Sequence, residues 1–237
     1  MTDLQLAAAF EATWPAAEYR DVGGFRVGRG HGAGARVSSA RAIGPWRDAD
    51  IDASVDLHSL WGQEPLFRVP DDDTALSAAL RDRGFRLQVP TAIMATGIER
   101  LTGLEPPPVT TFAVWPPLAI QRQIWAAGHI GPARQQVMER ASHPKAAILG
   151  RIDDRAAGAG FVAIHAGIAM MHAVEVLPEW RRKGLAGWMM RGAAIWAAGK
   201  GATRLALAVS RDNQAAIAFY RNLGFEEVAG YGYRIRP

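Results

Sequence analysis

The chain has 237 residues, with 27 lysines and arginines, 23 aspartates and glutamates, a formal net charge of +4 and no cysteine. The absence of cysteine excludes structural disulfides, thiolate metal sites and a cysteine nucleophile. Hydrophobic residues make up 49% of the chain, which is typical of a soluble globular protein, and the positive charges are scattered instead of forming a basic tail.

The N-terminal segment and the most apolar stretch both bear on targeting. The first twenty residues lack a basic region ahead of an apolar core, so no secretory signal is predicted. Residues 160–177 nearly reach membrane-spanning length. They include two histidines, a glutamate and an internal glycine, so we interpret them as two buried strands. We expect a cytoplasmic protein with no membrane partner.

A glycine-rich run, VGRGHGAGARV, occupies residues 27–37. Its glycines alternate with other residues and do not follow the Gly-x-Gly-x-x-Gly spacing of dinucleotide-binding loops. No helix start is evident after it. We therefore expect the tip of a flexible hairpin and not a nucleotide-binding loop.

Residues 66–85 and residues 206–225 show the same pattern, 140 positions apart. Each copy runs from strand-like residues through a polar capping cluster into an apolar helix, and closes on Arg-x-x-Gly-Phe. In the first copy we interpret the cluster DDDT as a helix cap and expect no metal site, because no further ligands lie near it. A true internal repeat would place Leu80 at the position of Tyr220, and chance similarity of two helix ends is the alternative.

Three consecutive prolines, at residues 106–108, form the clearest break in the chain. They cannot continue a helix or lie in a central strand, and they make a stiff, extended connector. We place a domain boundary here, which gives a first domain over residues 1–105 and a second over residues 110–237.

The second half has a legible order of elements. Strands are predicted at residues 110–115, 146–153, 158–167, 168–177, 203–210 and 225–235. Helices are predicted at residues 117–128 and 131–142, from residue 185 to the GKG of 199–201, and at 213–224. Asn213 is expected to cap the last helix and Gly224 to close it.

The third of these helices begins with an unusual cluster of positive charge, RRKGLA, at residues 181–186. The N-terminal end of a helix is already electropositive, so cations there are costly unless an anion binds. Gly184 and Ala186 allow the backbone to approach a ligand closely, and the helix amides and the cations suit a pyrophosphate. A solvated basic helix cap would explain the charge but not the two small residues.

The pattern Arg181-x-x-Gly184-x-Ala186 resembles the acyl-CoA-binding signature of the GCN5-related N-acetyltransferases (GNAT). A second conserved segment of that family matches at Asn213, Ala216, Phe219, Tyr220, Gly224 and Phe225. The resemblance covers residues 110–237. It implies an α/β (α+β) GNAT fold, with a central mixed, mostly antiparallel sheet flanked by helices. It also implies the bacterial two-part form, in which a degenerate GNAT-like domain precedes the catalytic domain.

The resemblance further implies that acetyl-CoA is the cosubstrate and that its acetyl group moves directly to a primary amine of a small molecule or a protein. It places the N–H that stabilises the oxyanion at Val176 and the proton donor to the thiolate at Tyr220. The residues that it implies for cofactor binding are Val174, Val176, Arg181, Arg182, Lys183, Gly184, Leu185, Ala186, Gly187, Asn213, Ala216 and Phe219.

The general base has several candidates. An amine acceptor with a pKa of about 10.4 must lose a proton before it attacks. The resemblance points to the strand before the signature, where His172 has an ordinary pKa suited to the task. Strand alternation turns Glu175 to the opposite face from His172 unless a bulge intervenes. His172 as base or as a core residue, Glu175 as base or as an orienting residue, and a water relay all remain open.

Two functions other than catalysis are compatible with the sequence. One is a catalytically inactive acyl-CoA-binding regulatory or sensor module. The other, a nucleic-acid-associated protein, rests only on the pI of about 9.8. Because no basic stripe is interleaved with aromatic residues, we expect no nucleic-acid partner. A monomer or a homodimer is expected, and the sequence does not identify the amine acceptor.

Overall fold

A computed structural model describes residues 3–236 as a sheet with helices packed on both faces. The helices are α1 (Leu4–Ala12), α2 (Ala35–Ser38), α3 (Asp48–Leu60), α4 (Thr74–Asp82), α5 (Glu99–Thr102), α6 (Ala119–Ala127), α7 (Pro132–Arg140), α8 (Leu185–Ala198) and α9 (Gln214–Asn222), with a 3₁₀ turn at Pro178–Trp180. The strands are β1 (Glu18–Val22), β2 (Phe25–Arg29), β3 (Ala40–Ala42), β4 (Leu66–Pro70), β5 (Arg86–Gly97), β6 (Thr111–Val114), β7 (Lys145–Ile152), β8 (Arg155–His165), β9 (Ile168–Val176), β10 (Arg204–Ser210) and β11 (Glu226–Ile235). The elements predicted for the second half are all present, with small shifts at their ends.

These strands form one sheet in the order β1-β2-β3-β4-β11-β5-β10-β9-β8-β7-β6. Neighbouring strands are antiparallel except for two parallel pairs, β3 with β4 and β9 with β10. The mixed, mostly antiparallel sheet that the resemblance implied is thus confirmed, and it runs without interruption through both halves of the chain. Within residues 3–236 no helix combines the length and the apolar character needed to cross a bilayer.

Helices cover the sheet on both faces. On one face, Leu76 of α4 belongs to a cluster over β2, β3 and β4, and Met189 of α8 belongs to a cluster over β5 and β7–β10. On the other face, Phe10 of α1 belongs to a cluster over β4, β5 and β9–β11, and Trp125 of α6 belongs to a cluster over β7 and β8. The first and second halves therefore share a layered core, and α1 reaches across to pack on β9.

The internal repeat is visible in the local structure. Asp73 and Asn213 each cap the following helix by accepting a hydrogen bond from the amide three residues on, at 3.0 Å in both copies. Gly84 and Gly224 follow these helices in the left-handed conformation, with φ of +82° and +86°. Because cap and terminator both recur at the 140-residue offset, the structure supports a true duplication over chance similarity.

The two halves exchange their last strands. β11 pairs with β4 of the first half, and β5 pairs with β10 of the second half. β5 and β11 also pair with each other at the centre of the sheet. Each half therefore completes the sheet of the other, and the domain boundary near residues 106–108 stays a prediction.

The glycine-rich run at residues 27–37 does not form the hairpin tip that we expected. Residues 27–29 lie in β2, and the β1–β2 hairpin turns instead at Gly23 and Gly24. The run continues into α2, where Val37 is buried. The glycines allow this close packing, because a Cβ on Gly28 would collide with the Val37 carbonyl.

We expect residues 1–105 and residues 110–237, produced as separate polypeptides, to fold poorly alone and to fold together when mixed. Separation would expose buried side chains on the exchanged strands, such as Met94 and Tyr231, and each fully exposed apolar side chain costs about 1.5–3 kcal/mol. Circular dichroism and thermal melts of each fragment and of the equimolar mixture measure the effect. A second fragment that melts alone at the temperature of the full chain would contradict this interdependence.

Candidate active site

The site begins where two parallel strands separate. β9 and β10 pair only over residues 168–171 and 204–207, yet β9 continues to Val176 and β10 to Ser210. Beyond Met171 the two strands share no hydrogen bonds, so a wedge opens between them. We call the gap between residues 172–176 and residues 208–210 the β9–β10 cleft. Amides of β9 that face this cleft have no strand partner there and need another acceptor.

A bulge in β9 accompanies the separation. Ala173 has a φ of +52°, and the register with β8 shifts between His172 and Glu175. Two residues of β9 therefore lie opposite one residue of β8, which turns His172 and Glu175 to the same face of the sheet. Trp125 of α6 holds the bulge by donating from Nε1 to the Ala173 carbonyl at 2.9 Å. A bulge was the condition under which Glu175 could lie on the same face as His172, and the structure contains it.

The N-terminal end of α8 lies beside the cleft and is uncapped. Gly184 precedes the helix with a φ of +81°, and Arg182 in the same turn has a φ of +65°. No side chain caps α8, and its first turn holds no acidic residue. The first amides of a helix have no acceptor within it. This end of α8 therefore offers free N–H groups and positive potential to an anion.

The three cations of this turn have different surroundings. Arg181 donates from Nε to the Val176 carbonyl at 2.8 Å and from Nη2 to Glu175 Oε1 at 2.9 Å, which ties the turn to the end of β9. Arg182 and Lys183 are exposed and form no ion pair with any residue that the structure describes. Lys183 Nζ lies 4.4 Å from the centroid of the Trp180 ring. Of the three cations, these two are therefore the ones without a carboxylate partner and able to meet a phosphate.

Val174 and Val176 lie on the opposite face of the sheet from His172. They pack, together with Phe219 and Tyr220 of α9, against the apolar cluster beneath α8. Leu185 is only 1% exposed and belongs to that cluster, so its side chain is part of the core. The structure thus gathers these residues on the side of β9 that faces α8 and α9.

Asn213, Ala216 and Gly187 set the geometry of the two helices. The side chain of Asn213 accepts a hydrogen bond from the Ala216 amide and is occupied as the cap of α9. A Cβ on Gly187 would lie 3.9 Å from the Phe219 ring, so Gly187 lies on the side of α8 that faces α9. Their part in binding a cofactor stays a prediction.

Tyr220 lies against two aromatic rings. The ring centroids of Phe219 and Phe225 are 5.1 and 5.7 Å from that of Tyr220. Within the part of the chain that the structure describes, no group hydrogen-bonds to its hydroxyl. Burial raises the pKa of Tyr220 to about 12. The hydroxyl therefore stays protonated at neutral pH and is available as a donor.

His172 is 7% exposed, and both of its ring nitrogens are occupied. Nε2 lies 2.9 Å from Thr13 Oγ1, and Nδ1 lies 3.3 Å from Arg36 Nη1. Because the Thr13 hydroxyl donates to the Ala9 carbonyl at 2.7 Å, it accepts from Nε2–H, and Arg36 donates to Nδ1. Burial, with the Arg36 charge as the second cause, holds the pKa of His172 well below its ordinary value. The imidazole is neutral and has no free lone pair.

Glu175 has one oxygen free. Its side chain is 16% exposed, and Oε1 accepts the hydrogen bond from Arg181. Oε2 has no hydrogen-bond partner among residues 3–236. The carboxylate lies against Gly128 at the end of α6, where any Cβ would overlap it. On the His172 face of β9, Glu175 therefore presents an open acceptor.

Three residues around His172 were not found from the sequence: Thr13, Arg36 and Trp14. The Trp14 ring centroid lies 5.1 Å from that of the imidazole. Arg36 and Thr13 are 136 and 159 positions away from His172 in the chain. No local periodicity links residues so far apart, and only the folding of α1 and α2 onto β9 brings them together.

In the first half, α3 occupies the place that α8 has in the second, and its N-terminal end is closed. Asp50, in the first turn, accepts hydrogen bonds from the amides of Arg47 and Gly24 at 3.0 and 3.3 Å. These two bonds hold the pKa of Asp50 below its ordinary value. α3 thus supplies its own anion, and Leu80 stands in place of Tyr220. Of these two corresponding helix ends, the open one belongs to the second half.

Residues 111–225 match the acetyltransferase (GNAT) family. These residues form a GNAT domain. Among curated proteins, this GNAT chain matches the uncharacterized N-acetyltransferase YobR of Bacillus subtilis strain 168, with 32% identity over 77 residues. That match covers 32% of this chain and 31% of the relative, so it spans less than a third of either protein.

Solved structures extend the likeness to the whole GNAT chain. A GCN5-related N-acetyltransferase from Kribbella flavida superposes with a TM-score of 0.75 at 18% identity, covering 100% of this chain and 96% of that one. A tandem GNAT protein from the clavulanic acid biosynthesis pathway gives a TM-score of 0.61 at 14% identity, with coverage of 83% and 74%. At these identities the likeness concerns the fold. It confirms the GNAT fold and supports the tandem form.

Lowering the pH from about 7.5 to about 5.5 is expected to destabilise the GNAT chain, and His172→Gln to remove part of that effect. The folded-state pKa of His172 is depressed, so as the pH falls below about 6.5 the unfolded chain takes up a proton that the folded chain does not. His172 therefore contributes part of the stability that is lost between about pH 7.5 and about pH 5.5.

Urea unfolding of both proteins at the two pH values measures the difference. His58, whose pKa burial also lowers, accounts for part of the remaining loss in the variant. The explanation fails if the variant loses as much stability on acidification as the wild-type chain.

Proposed function

We propose that this GNAT protein is an acetyl-CoA-dependent N-acetyltransferase that moves the acetyl group directly to a primary amine. The observation that carries the proposal is the β9–β10 cleft, with the uncapped end of α8 beside it and Tyr220 on the same side of the sheet. Anion-binding helix ends are common, but one placed beside separated strands and an unpartnered tyrosine suits a thioester donor with a phosphate tail.

Acetyl-CoA would bind through its phosphates at one end and its pantetheine arm and thioester at the other. The amides at the start of α8 and the side chains of Arg182 and Lys183 would hold the phosphates. Val174 and Val176 would line the path of the pantetheine arm, and the thioester would come to lie near Tyr220. In this arrangement Arg181 keeps its bonds to β9 and positions the turn, a role that its exposed neighbours do not have.

The reaction needs three groups once the donor is bound. The acceptor nitrogen attacks the thioester carbonyl carbon, a C–N bond forms, and the C–S bond breaks. The amide of Val176 would stabilise the oxyanion. Tyr220 would donate its proton to the departing thiolate, and its raised pKa keeps that proton in place until it is needed.

We assign Glu175 as the general base, which would take the proton of the amine directly or through a water molecule. Glu175 Oε2 is free, whereas both nitrogens of His172 are hydrogen-bonded. A general base must reach the proton that it takes, so geometry precedes pKa in this choice. His172 would instead fix Thr13 and Arg36 against β9 and shape the acceptor side of the cleft.

Residues 1–105 would form the non-catalytic half. This assignment is supported by the Asp50 carboxylate at the start of α3, which would repel a pyrophosphate, and by the apolar Leu80 at the position of the acid. A catalytically inactive acyl-CoA sensor is the competing function. Coenzyme A release from acetyl-CoA across a panel of primary amines separates the two, since a sensor would bind the donor and release no product with any amine.

Gly184→Asp is expected to weaken acetyl-CoA binding at least tenfold, or by about 1.4 kcal/mol. The new carboxylate would occupy the helix end that a phosphate needs, as Asp50 does in α3. Gly201→Asp is the matched control, because Gly201 also has a positive φ, of +84°, and open space around it, but follows the other end of α8. Isothermal titration calorimetry compares them, and equal affinities would remove the proposed phosphate site.

Tyr220→Phe is expected to lower kcat about 100-fold with an unchanged Kd for acetyl-CoA, because the variant loses the proton donor and keeps the donor site. Coenzyme A release, measured with the best amine of the panel, gives kcat, and calorimetry gives the Kd.

Glu175→Gln is expected to abolish the acidic limb of the pH profile of kcat/KM, because the variant loses the group that takes the proton of the amine. Coenzyme A release as a function of pH gives kcat/KM.

Tyr19→Phe is the control for loss of a tyrosine hydroxyl, since Tyr19 lies in β1, far from β9 in the sheet, and its hydroxyl accepts a hydrogen bond from the nearby Ala16 amide at 2.8 Å. Unchanged turnover in Tyr220→Phe would exclude it as the acid. An acidic limb that survives in Glu175→Gln but is lost in His172→Gln would move the base to His172.

A further inference from the structure

A second cleft lies in the first half of the chain, where β3 and β4 separate. A cavity of about 390 Å³ opens there between α1, the ends of the two strands and the cap of α4. Its charged lining consists of Glu11, Arg41, Arg68 and Asp73, and Ala8 of α1 is among the small residues that leave it open. This volume lies within the range of about 300–1,000 Å³ that is usual for small-molecule sites.

The charges around this cavity do not balance. Glu11 accepts a hydrogen bond from Arg68, which is 9% exposed, and its Oε2 lies 3.3 Å from Arg41 Nε. Arg36 lies behind them and donates to the Phe10 carbonyl. Three guanidinium groups thus lie near two carboxylates, those of Glu11 and Asp73, and Asp73 also caps α4.

Two of these guanidinium nitrogens have no hydrogen-bond partner within residues 3–236. The buried Nε atoms of Arg36 and Arg41 make no hydrogen bond. Burial lowers the pKa of both side chains, with the attraction of Glu11 opposing it. Burying donors of a charged group without acceptors is unfavourable. Among the lining residues, Arg41 therefore keeps a buried N–H without a hydrogen-bond acceptor.

The duplication places this cavity at the counterpart of the β9–β10 cleft. The last pair of β9 and β10 joins Met171 to Leu207, and the offset of 140 puts Phe67 in the place of Leu207. Phe67 pairs with residue 40 of β3, so Arg41 takes the place of His172. The first half thus keeps a cleft on the same face of the sheet, with a cation where the second half has its neutral histidine.

We propose that this cavity binds a small oxyanion, a carboxylate or a phosphate, between Arg41 and Arg68. The planar guanidinium fork matches both kinds of group and holds them with two parallel hydrogen bonds. The inference does not depend on the acetyltransferase assignment, because the charged residues that carry it all lie in the first half of the chain.

Calorimetric titration of the full chain with succinate, and separately with inorganic phosphate, at constant ionic strength tests the proposal. We expect at least one of them to bind with one-to-one stoichiometry, and Arg41→Gln to weaken that binding at least tenfold. Arg47→Gln is the matched control, because Arg47 is 84% exposed on another element, and it should bind as the wild-type chain does. Binding of succinate alone identifies a carboxylate site, and binding of phosphate alone identifies a phosphate site.

A second variant keeps the charges and removes the space. Ala8 is an exposed residue of α1, so Ala8→Leu should fold normally while it narrows the cavity, and it is expected to lose the oxyanion. Circular dichroism and thermal melts of the same variants report whether they are folded.

Three results would overturn the proposal. The first is that neither probe binds, and the second is that Arg41→Gln and Arg47→Gln behave alike. The third is phosphate binding that disappears in Gly184→Asp and persists in Arg41→Gln, which would place the anion at α8.

Discussion

The separation of β9 and β10 after Met171 is the constraint on which the rest of the candidate site depends. Once the two strands part, the backbone of β9 cannot be satisfied by β10, and the bulge at Ala173 takes up the change of register. The bulge turns Glu175 to the face of His172, and the carbonyl of Val176 becomes the anchor for Arg181. The start of α8 is held beside the opening by the same contacts, so cleft and anion-binding end form one unit.

The duplicated halves show how one fold can carry different chemistry. α3 closes its N-terminal end with Asp50, whereas α8 leaves its own end open. The first half cannot be discarded, since β5 completes the sheet beside β10, and α1 and α2 supply the partners of His172. Physical interdependence of this kind explains how a half without the donor signature remains part of the structure.

The case of His172 and Glu175 shows how burial reverses an argument from ordinary pKa values. An imidazole in water titrates near neutrality and suits a general base. Inside this protein the same ring is neutral, hydrogen-bonded at both nitrogens and close to a guanidinium, so its lone pair is already used. Glu175, which regular strand alternation would turn to the opposite face, instead lies on the His172 face with an open oxygen, because β9 contains one extra residue at the bulge.

The sequence by itself determined the order of elements in the second half, the caps of α4 and α9 and the family resemblance, and it offered the duplication as one of two explanations of a repeated pattern. These features depend on local patterns: apolar periodicity, capping residues at helix ends, and small residues beside cations. Only the tertiary structure decided the exchange of β5 and β11, the bulge at Ala173, the surroundings of His172 and the charged cavity at Arg41. Each of these depends on contacts between residues far apart in the chain, for which no short stretch of sequence carries a signal.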